Sequence, residues 1–256
     1  MNVKKLAIAQ IISKCQIRPP LYKCIILFTL TLMISLVFSS CAFEAEEESA
    51  TDKYRKERYA ALLEKVNQGK TYDLVFAGDS ITDLGGFEEE FSDYNCLNLG
   101  IGGDRISDLQ KRVFMITSVK PKKLFIMIGI NSINSEEGNF YTRVANYENL
   151  IKGLRASLPN TEIYLESCLP VNQACTTDFS YGSNFEIRMF NIYIEQIAQK
   201  YNARYIDLYS LYEENGTLRT TVTIDGVQYV ATLEGIHITE KAYSLWYDEI
   251  RQYIEN

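Results

Sequence analysis

From about Tyr54 onward the chain alternates between two hydrophobic rhythms. Tyr54 to Gln68 carries Tyr59, Leu62, Leu63 and Val66 at helical spacing, which predicts an amphipathic helix. Short apolar runs follow at Leu74–Ala77, Tyr94–Leu99, Lys123–Ile128, Glu162–Glu166 and Arg204–Leu208. These read as five strands; the 123–128 run is unbroken, as a strand buried on both faces should be. Between them, Ile106–Val119, Asn139–Ser157, Asn184–Tyr201 and Glu240–Ile254 read as helices, the last capped by Thr239. Thr217–Thr223 and Gln228–Leu233 flank Asp225-Gly226 and predict a β-hairpin. Strand and helix alternation of this kind predicts one α/β domain, its parallel sheet covered on both faces.

The first forty residues follow a different pattern. They contain no Asp or Glu, carry Lys4, Lys5, Lys14, Arg18 and Lys23, and then run apolar from Ile25 to Phe38. A basic start, a short apolar core and small residues predict a secretory signal over 1–40. That core is shorter than the roughly 20 residues a membrane span needs. Phe38-Ser39-Ser40-Cys41 resembles a bacterial lipobox, which makes Cys41 the expected lipidated N-terminus. An uncleaved signal anchor is the alternative. The acidic stretch that follows, with Glu46-Glu47-Glu48, reads as a solvated tether over 41–52, leaving 53–256 as the folded domain. The expected location is therefore the bacterial cell envelope, with the chain held on the outer membrane or cell surface by lipid.

Processing also changes the charge. Loss of five cations and no anions leaves 21 Lys+Arg against 33 Asp+Glu, a net charge of −12. Such a surface repels phosphates and argues against a nucleic-acid partner. Cys96 reads as a small core residue, while Cys168 and Cys175 could pair across a loop in an oxidising compartment. The chain has one histidine, which excludes zinc sites of the His-Cys and His-Glu-x-x-His kinds; no cofactor is expected.

Four stretches fall at strand ends or just before a helix: Gly78-Asp79-Ser80, Gly102-Gly103-Asp104, Gly129-Ile130-Asn131 and Glu234-Gly235-Ile236-His237. In a parallel sheet those ends share one rim, where ligands bind. Each has a plain structural alternative: a capping turn, a surface charge or a turn asparagine. Together they contain what acyl transfer requires. Ser80 is a candidate nucleophile, His237 the one histidine that could act as its base, and Glu234 an acceptor three residues away. The backbone N–H groups of Ser80 and Gly103 and the amide of Asn131 are candidate donors to an oxyanion. Gly100 to Asp104 is not a dinucleotide loop, since Arg105 stands where that motif needs glycine.

These blocks resemble the SGNH hydrolases, the GDSL lipases and esterases. Gly78-Asp79-Ser80-Ile81 is similar to the first block of that family, Asn98-Leu99-Gly100-Ile101-Gly102-Gly103-Asp104 to the second, Gly129-Ile130-Asn131 to the third and Glu234-Gly235-Ile236-His237 to the last. The resemblance runs from about Tyr72 to the C-terminus. It implies a three-layer, flavodoxin-like α/β/α fold with a serine nucleophile at Ser80, oxyanion donors at Ser80, Gly103 and Asn131, a base at His237, and no metal. The chain departs from the pattern twice. Glu234 replaces the usual Asp, and Ser132 follows Asn131 where an acidic or amide residue is usual, a change expected to affect loop support. The block spelling resembles members that remove acetyl groups, and a surface lipoprotein faces glycans, so the expected activity is carbohydrate O-deacetylation. A lysophospholipase or thioesterase with a longer acyl pocket is the enzymatic alternative. A glycan-binding lipoprotein without chemistry is the other.

Overall fold

The computed structural model describes residues 49–133, 138–176 and 182–255. The expected signal over 1–40 and the lipidation site Cys41 lie outside the described residues. From Ala50 the chain forms one compact unit.

Helix α1 spans Ala50–Asn67 and β1 Leu74–Gly78. Two single-turn helices follow, α2 over Ser80–Asp83 and α3 over Phe87–Glu90, before β2 at Cys96–Asn98. Then come α4 (Ile106–Lys111), α5 (Val113–Val119), β3 (Lys123–Met127), a 3₁₀ turn at Ile130–Ser132, α6 (Phe140–Ser157) and β4 (Glu162–Glu166). The chain continues through α7 (Asn184–Lys200), β5 (Arg204–Ile206) and α8 (Leu208–Tyr212). Two hairpins, β6–β7 (Glu213–Glu214, Thr217–Leu218) and β8–β9 (Thr221–Ile224, Val227–Val230), precede α9 at Tyr243–Ile254.

The five expected strands form one parallel sheet in the order β2-β1-β3-β4-β5. Alternation along each strand divides the core into two. Val75, Ala77, Leu124, Ile126, Ile163 and Leu165 face the layer that includes α1, α4, α5, α6 and α7. Leu74, Phe76, Phe125, Met127, Tyr164 and Ile206 face α3, α8 and α9. On that second face the rings of Phe76, Phe125 and Tyr164 stack across neighbouring strands at centroid distances of 4.9 and 4.5 Å. Phe87 stacks on Phe76 at 4.0 Å, and Trp246 meets the edge of Phe87 at 5.1 Å. Helices on both sides of a parallel sheet make the three layers that the alternation of strand and helix predicts.

Several boundaries differ from expectation for physical reasons. The folded unit begins earlier than the expected residue 53, because Ala50–Asp52 already belongs to α1, with Asp52 in its electropositive first turn. The helix expected over Ile106–Val119 breaks at Arg112, whose side chain is buried beneath the sheet end. Leu208 leaves β5 and enters α8, capped by Asp207, whose carboxylate accepts from Ser210 N at 3.1 Å. The helix expected from Glu240 begins at Tyr243; Thr239 Oγ1 still accepts from Ala242 N at 3.3 Å. The hairpin at Asp225-Gly226 forms, both residues at positive φ, and a second one turns at Asn215-Gly216 with the same signature. Cys168 and Cys175 are free thiols, the first buried and the second exposed, and so are not paired.

Candidate active site

The site begins where β1 stops. The chain passes from β1 outward to β2 and then back across to β3, so the rim beside β1 is the point where the strand order reverses. Gly78 is required there: a Cβ would lie 2.1 Å from both Met127 O and Thr82 Oγ1. Asp79 caps α2 by accepting from Ile81 N at 3.1 Å. It is fully buried, and burial pushes its carboxyl up to about 7. Ser80 therefore stands at the first position of a single helical turn. That turn is held from behind by Tyr243, whose hydroxyl donates to Ile81 O at 2.6 Å.

His237 reaches the same rim from the loop that follows β9. Its Nε2 lies 2.8 Å from Ser80 Oγ, and its Nδ1 lies 2.7 Å from Glu234 Oε1. The same carboxylate oxygen accepts the backbone N–H of His237 at 2.6 Å. An ionised carboxylate only accepts, so this contact places the imidazole hydrogen on Nδ1 and leaves the Nε2 lone pair facing the serine hydroxyl. The extra methylene of glutamate is absorbed within the three-residue turn. The turn itself is tied by Thr232, which donates to His237 O at 2.7 Å and accepts from Gly235 N at 2.9 Å. Gly235 O accepts in addition from Asn172 N at 2.7 Å.

The loop after β2 closes the other side. Gly103 has φ +75°, a conformation that glycine adopts without strain. A Cβ on Gly102 would come within 3.9 Å of Ser80 Cβ, so this loop abuts the serine. Asn131, in the 3₁₀ turn after β3, donates one amide hydrogen to Asp104 O at 3.0 Å. Ser132 Oγ accepts from Ile106 N at 3.0 Å and so supports the start of α4. The five residues singled out from the sequence, Ser80, Gly103, Asn131, Glu234 and His237, thus converge on one rim.

Other residues of the site were not among the candidates from the sequence, although Asn98 opens the second block. Arg112 is 3% exposed and donates to Asp104 Oδ2 (2.6 Å), Leu99 O (2.6 Å) and Gly78 O (3.0 Å), tying the ends of β1 and β2 together. The Asn98 side chain donates to Thr82 O (2.7 Å) and Gly85 O (2.9 Å) and accepts from Gly100 N (2.8 Å). From α1, Arg58 donates to Gly100 O (3.1 Å) and Asn98 O (3.2 Å) and pairs with Asp83 (2.9 Å). Most of these partners are backbone carbonyls 13 to 42 residues away in sequence, which no local pattern reveals.

The model of the GDSL-like lipase/acylhydrolase family matches residues 76–245, a stretch that includes all five rim residues. Among solved structures, one from Streptococcus pneumonia, provisionally described as a platelet activating factor, superposes with a TM-score of 0.68 at 20% identity, covering 88% of this chain and 99% of that one. A GDSL-like lipase from Bacteroides thetaiotaomicron gives 0.60 at 21% identity, covering 80% and 97%. The acetyl xylan esterase AlAXEase gives 0.55 at 19% identity, covering 70% and 98%. At these identities the likeness is one of fold. No curated protein sequence matches the chain.

Proposed function

The chain belongs to the GDSL-like lipase/acylhydrolase family and is a carboxylic ester hydrolase, and from that premise we propose that it is a serine esterase acting through Ser80, His237 and Glu234 on short acyl esters, with acetylated carbohydrate as the substrate class. The observation that carries the proposal is the unbroken chain of contacts from Ser80 Oγ to His237 Nε2 (2.8 Å) and from His237 Nδ1 to Glu234 Oε1 (2.7 Å). In the proposed reaction Ser80 Oγ attacks the ester carbonyl as His237 Nε2 takes its proton. Glu234 holds the ring and stabilises the imidazolium. The carbonyl oxygen becomes an oxyanion, which receives hydrogen bonds from the N–H groups of Ser80 and Gly103 and the free amide hydrogen of Asn131. His237 then returns the proton to the leaving alcohol. Water, activated by the same histidine, releases the acyl group and restores Ser80.

Two features favour a sugar-linked acetyl group. One structural relative is named an acetyl xylan esterase. Beside the nucleophile, a Cβ on Gly102 would lie 3.3 Å from the Tyr54 ring, which is 45% exposed and could carry the flat face of a sugar.

The test is the initial rate of the purified full-length chain on p-nitrophenyl acetate, butyrate and octanoate, beside Ser80→Ala. The proposal expects activity on acetate and a loss of at least ~10³-fold in the variant. Unchanged activity in Ser80→Ala would overturn the nucleophile assignment. A preference for octanoate would move the substrate class to longer acyl chains.

A further inference from the structure

Resting on the reading above, we propose that Arg55 is a positioning residue that locks the Gly102–Gly103 peptide in the orientation that aims Gly103 N–H at the oxyanion. Arg55 lies on α1, before the family-model match begins at residue 76.

Ile101 to Asp104 is a β-turn, closed by Asp104 N donating to Ile101 O at 3.1 Å. Its central peptide joins Gly102 to Gly103. The positive φ of Gly103 marks the form in which that peptide is flipped relative to the commoner turn. Two glycines in succession leave both flip states sterically open. The carbonyl and N–H of a trans peptide point in opposite directions. Whatever holds Gly102 O on one side therefore presents Gly103 N–H on the other.

Arg55 Nη1 donates to Gly102 O at 3.0 Å. The guanidinium is itself fixed, by Asp104 Oδ1 at 3.0 Å and Asp108 Oδ2 at 3.5 Å, and its side chain is 28% exposed. The preceding peptide is pinned as well, because Gly102 N donates to Asp83 Oδ2 at 2.8 Å and Tyr54 OH donates to the same oxygen at 2.6 Å. Rotating the central peptide would break the Arg55 bond and turn Gly103 N–H to the opposite side of the loop. The cation acts a second way: a charge-assisted bond to the carbonyl polarises the peptide and strengthens its N–H as a donor. Both effects matter only when negative charge appears on the substrate oxygen. The expected consequence is a defect in kcat with little change in KM.

The experiment compares the wild-type full-length chain with Arg55→Met and Arg55→Lys on p-nitrophenyl acetate. It also measures inhibition by methylboronic acid, whose adduct on Ser80 carries the tetrahedral negative charge. Arg55→Met is expected to lower kcat by roughly 10- to 100-fold, somewhat less than loss of a whole oxyanion donor. KM should stay within about twofold, and boronate affinity should fall in parallel with kcat. Lysine, which keeps the charge and one donor, should recover part of both. A wild-type kcat and boronate affinity in Arg55→Met would overturn the inference, as would a loss confined to KM. If Arg55→Met does not fold, Arg55→Lys decides: wild-type boronate affinity overturns the proposal, and a reduced one supports it. Failure of the parent reading shows separately, as retained activity in Ser80→Ala.

Discussion

Arg112 and Glu234 each hold one half of the same site, and the two halves are built differently. The half around Ser80 and the Gly100–Asp104 loop is buried and over-determined. Arg112, 3% exposed, makes three bonds, and Asn98, Arg58 and Asp83 add more. The half around His237 is open. The side chains of His237 and Glu234 are 33% and 45% exposed, and their turn depends on Thr232 and Asn172. The difference follows the proposed chemistry. Donors to an oxyanion work only if they are already aligned when charge develops, because reorienting them would consume the stabilisation they offer. A base must instead meet leaving groups and water, so it needs a defined ring orientation and access to solvent. In the proposed reaction, rigidity is concentrated on the oxyanion donors, and the base is held by one carboxylate.

The largest expected effect tests whether that single carboxylate suffices. Glu234→Gln keeps the turn but replaces an obligate acceptor by an amide, which can present its NH₂ to Nδ1 and favour the wrong tautomer. We expect kcat to fall by about 10²-fold or more, with an unchanged melting temperature. A wild-type kcat would show that the open half does not rely on Glu234. The next effect separates backbone geometry from chemistry. Gly235→Ala would place a Cβ 2.3 Å from Asn172 O, a backbone atom that cannot swing aside, at φ +84°. Gly226→Ala, at φ +78° with nothing within 4 Å, suffers the conformational cost alone, about 1 kcal/mol. Thermal melts should show the larger loss for Gly235→Ala, and that variant alone should lose activity. Equal losses with equal rates would mean that the open half yields freely.

The smallest effect lies on the far face of the sheet. Glu166 is fully buried, accepts from Trp246 Nε1 at 2.7 Å, and burial raises its carboxyl to about 8. A carboxyl raised by folding binds its proton more tightly in the native state than in the unfolded chain. Its contribution to stability is present below about pH 4.5 and is lost as pH rises toward 8. Glu166→Gln should flatten the fall in melting temperature between those values. Asp79, raised in the same direction, leaves a residual slope. An unaltered profile would show that Glu166 is ionised within the fold.

What could be read in the sequence follows from what is local. The five strands were legible because each is a short apolar run, and Ser80, Gly103, Asn131, Glu234 and His237 because each sits in a block with its own turn chemistry. The break at Arg112 was not legible, since the 106–119 periodicity continues through it; a buried cation bonded to three distant groups overrides helix propensity. The Asn215-Gly216 hairpin did carry a signal, but Thr217–Thr223 read as one continuous strand and hid it. Arg55 and Arg58 carried no signal, because their partners, the carbonyls of Gly102, Gly100 and Asn98 and the carboxylates of Asp104 and Asp83, are brought close only by folding.

Trp246 gives the molecule an optical readout of its own. The chain has one tryptophan, so its long-wavelength ultraviolet fluorescence arises at a single address between Phe87 and the Glu166 carboxyl. That address lies on the face of the sheet opposite the arginines of α1. Emission from the indole therefore monitors the seating of α9 and the charge on Glu166 in one cuvette, leaving absorbance of released nitrophenolate free to follow turnover at the rim.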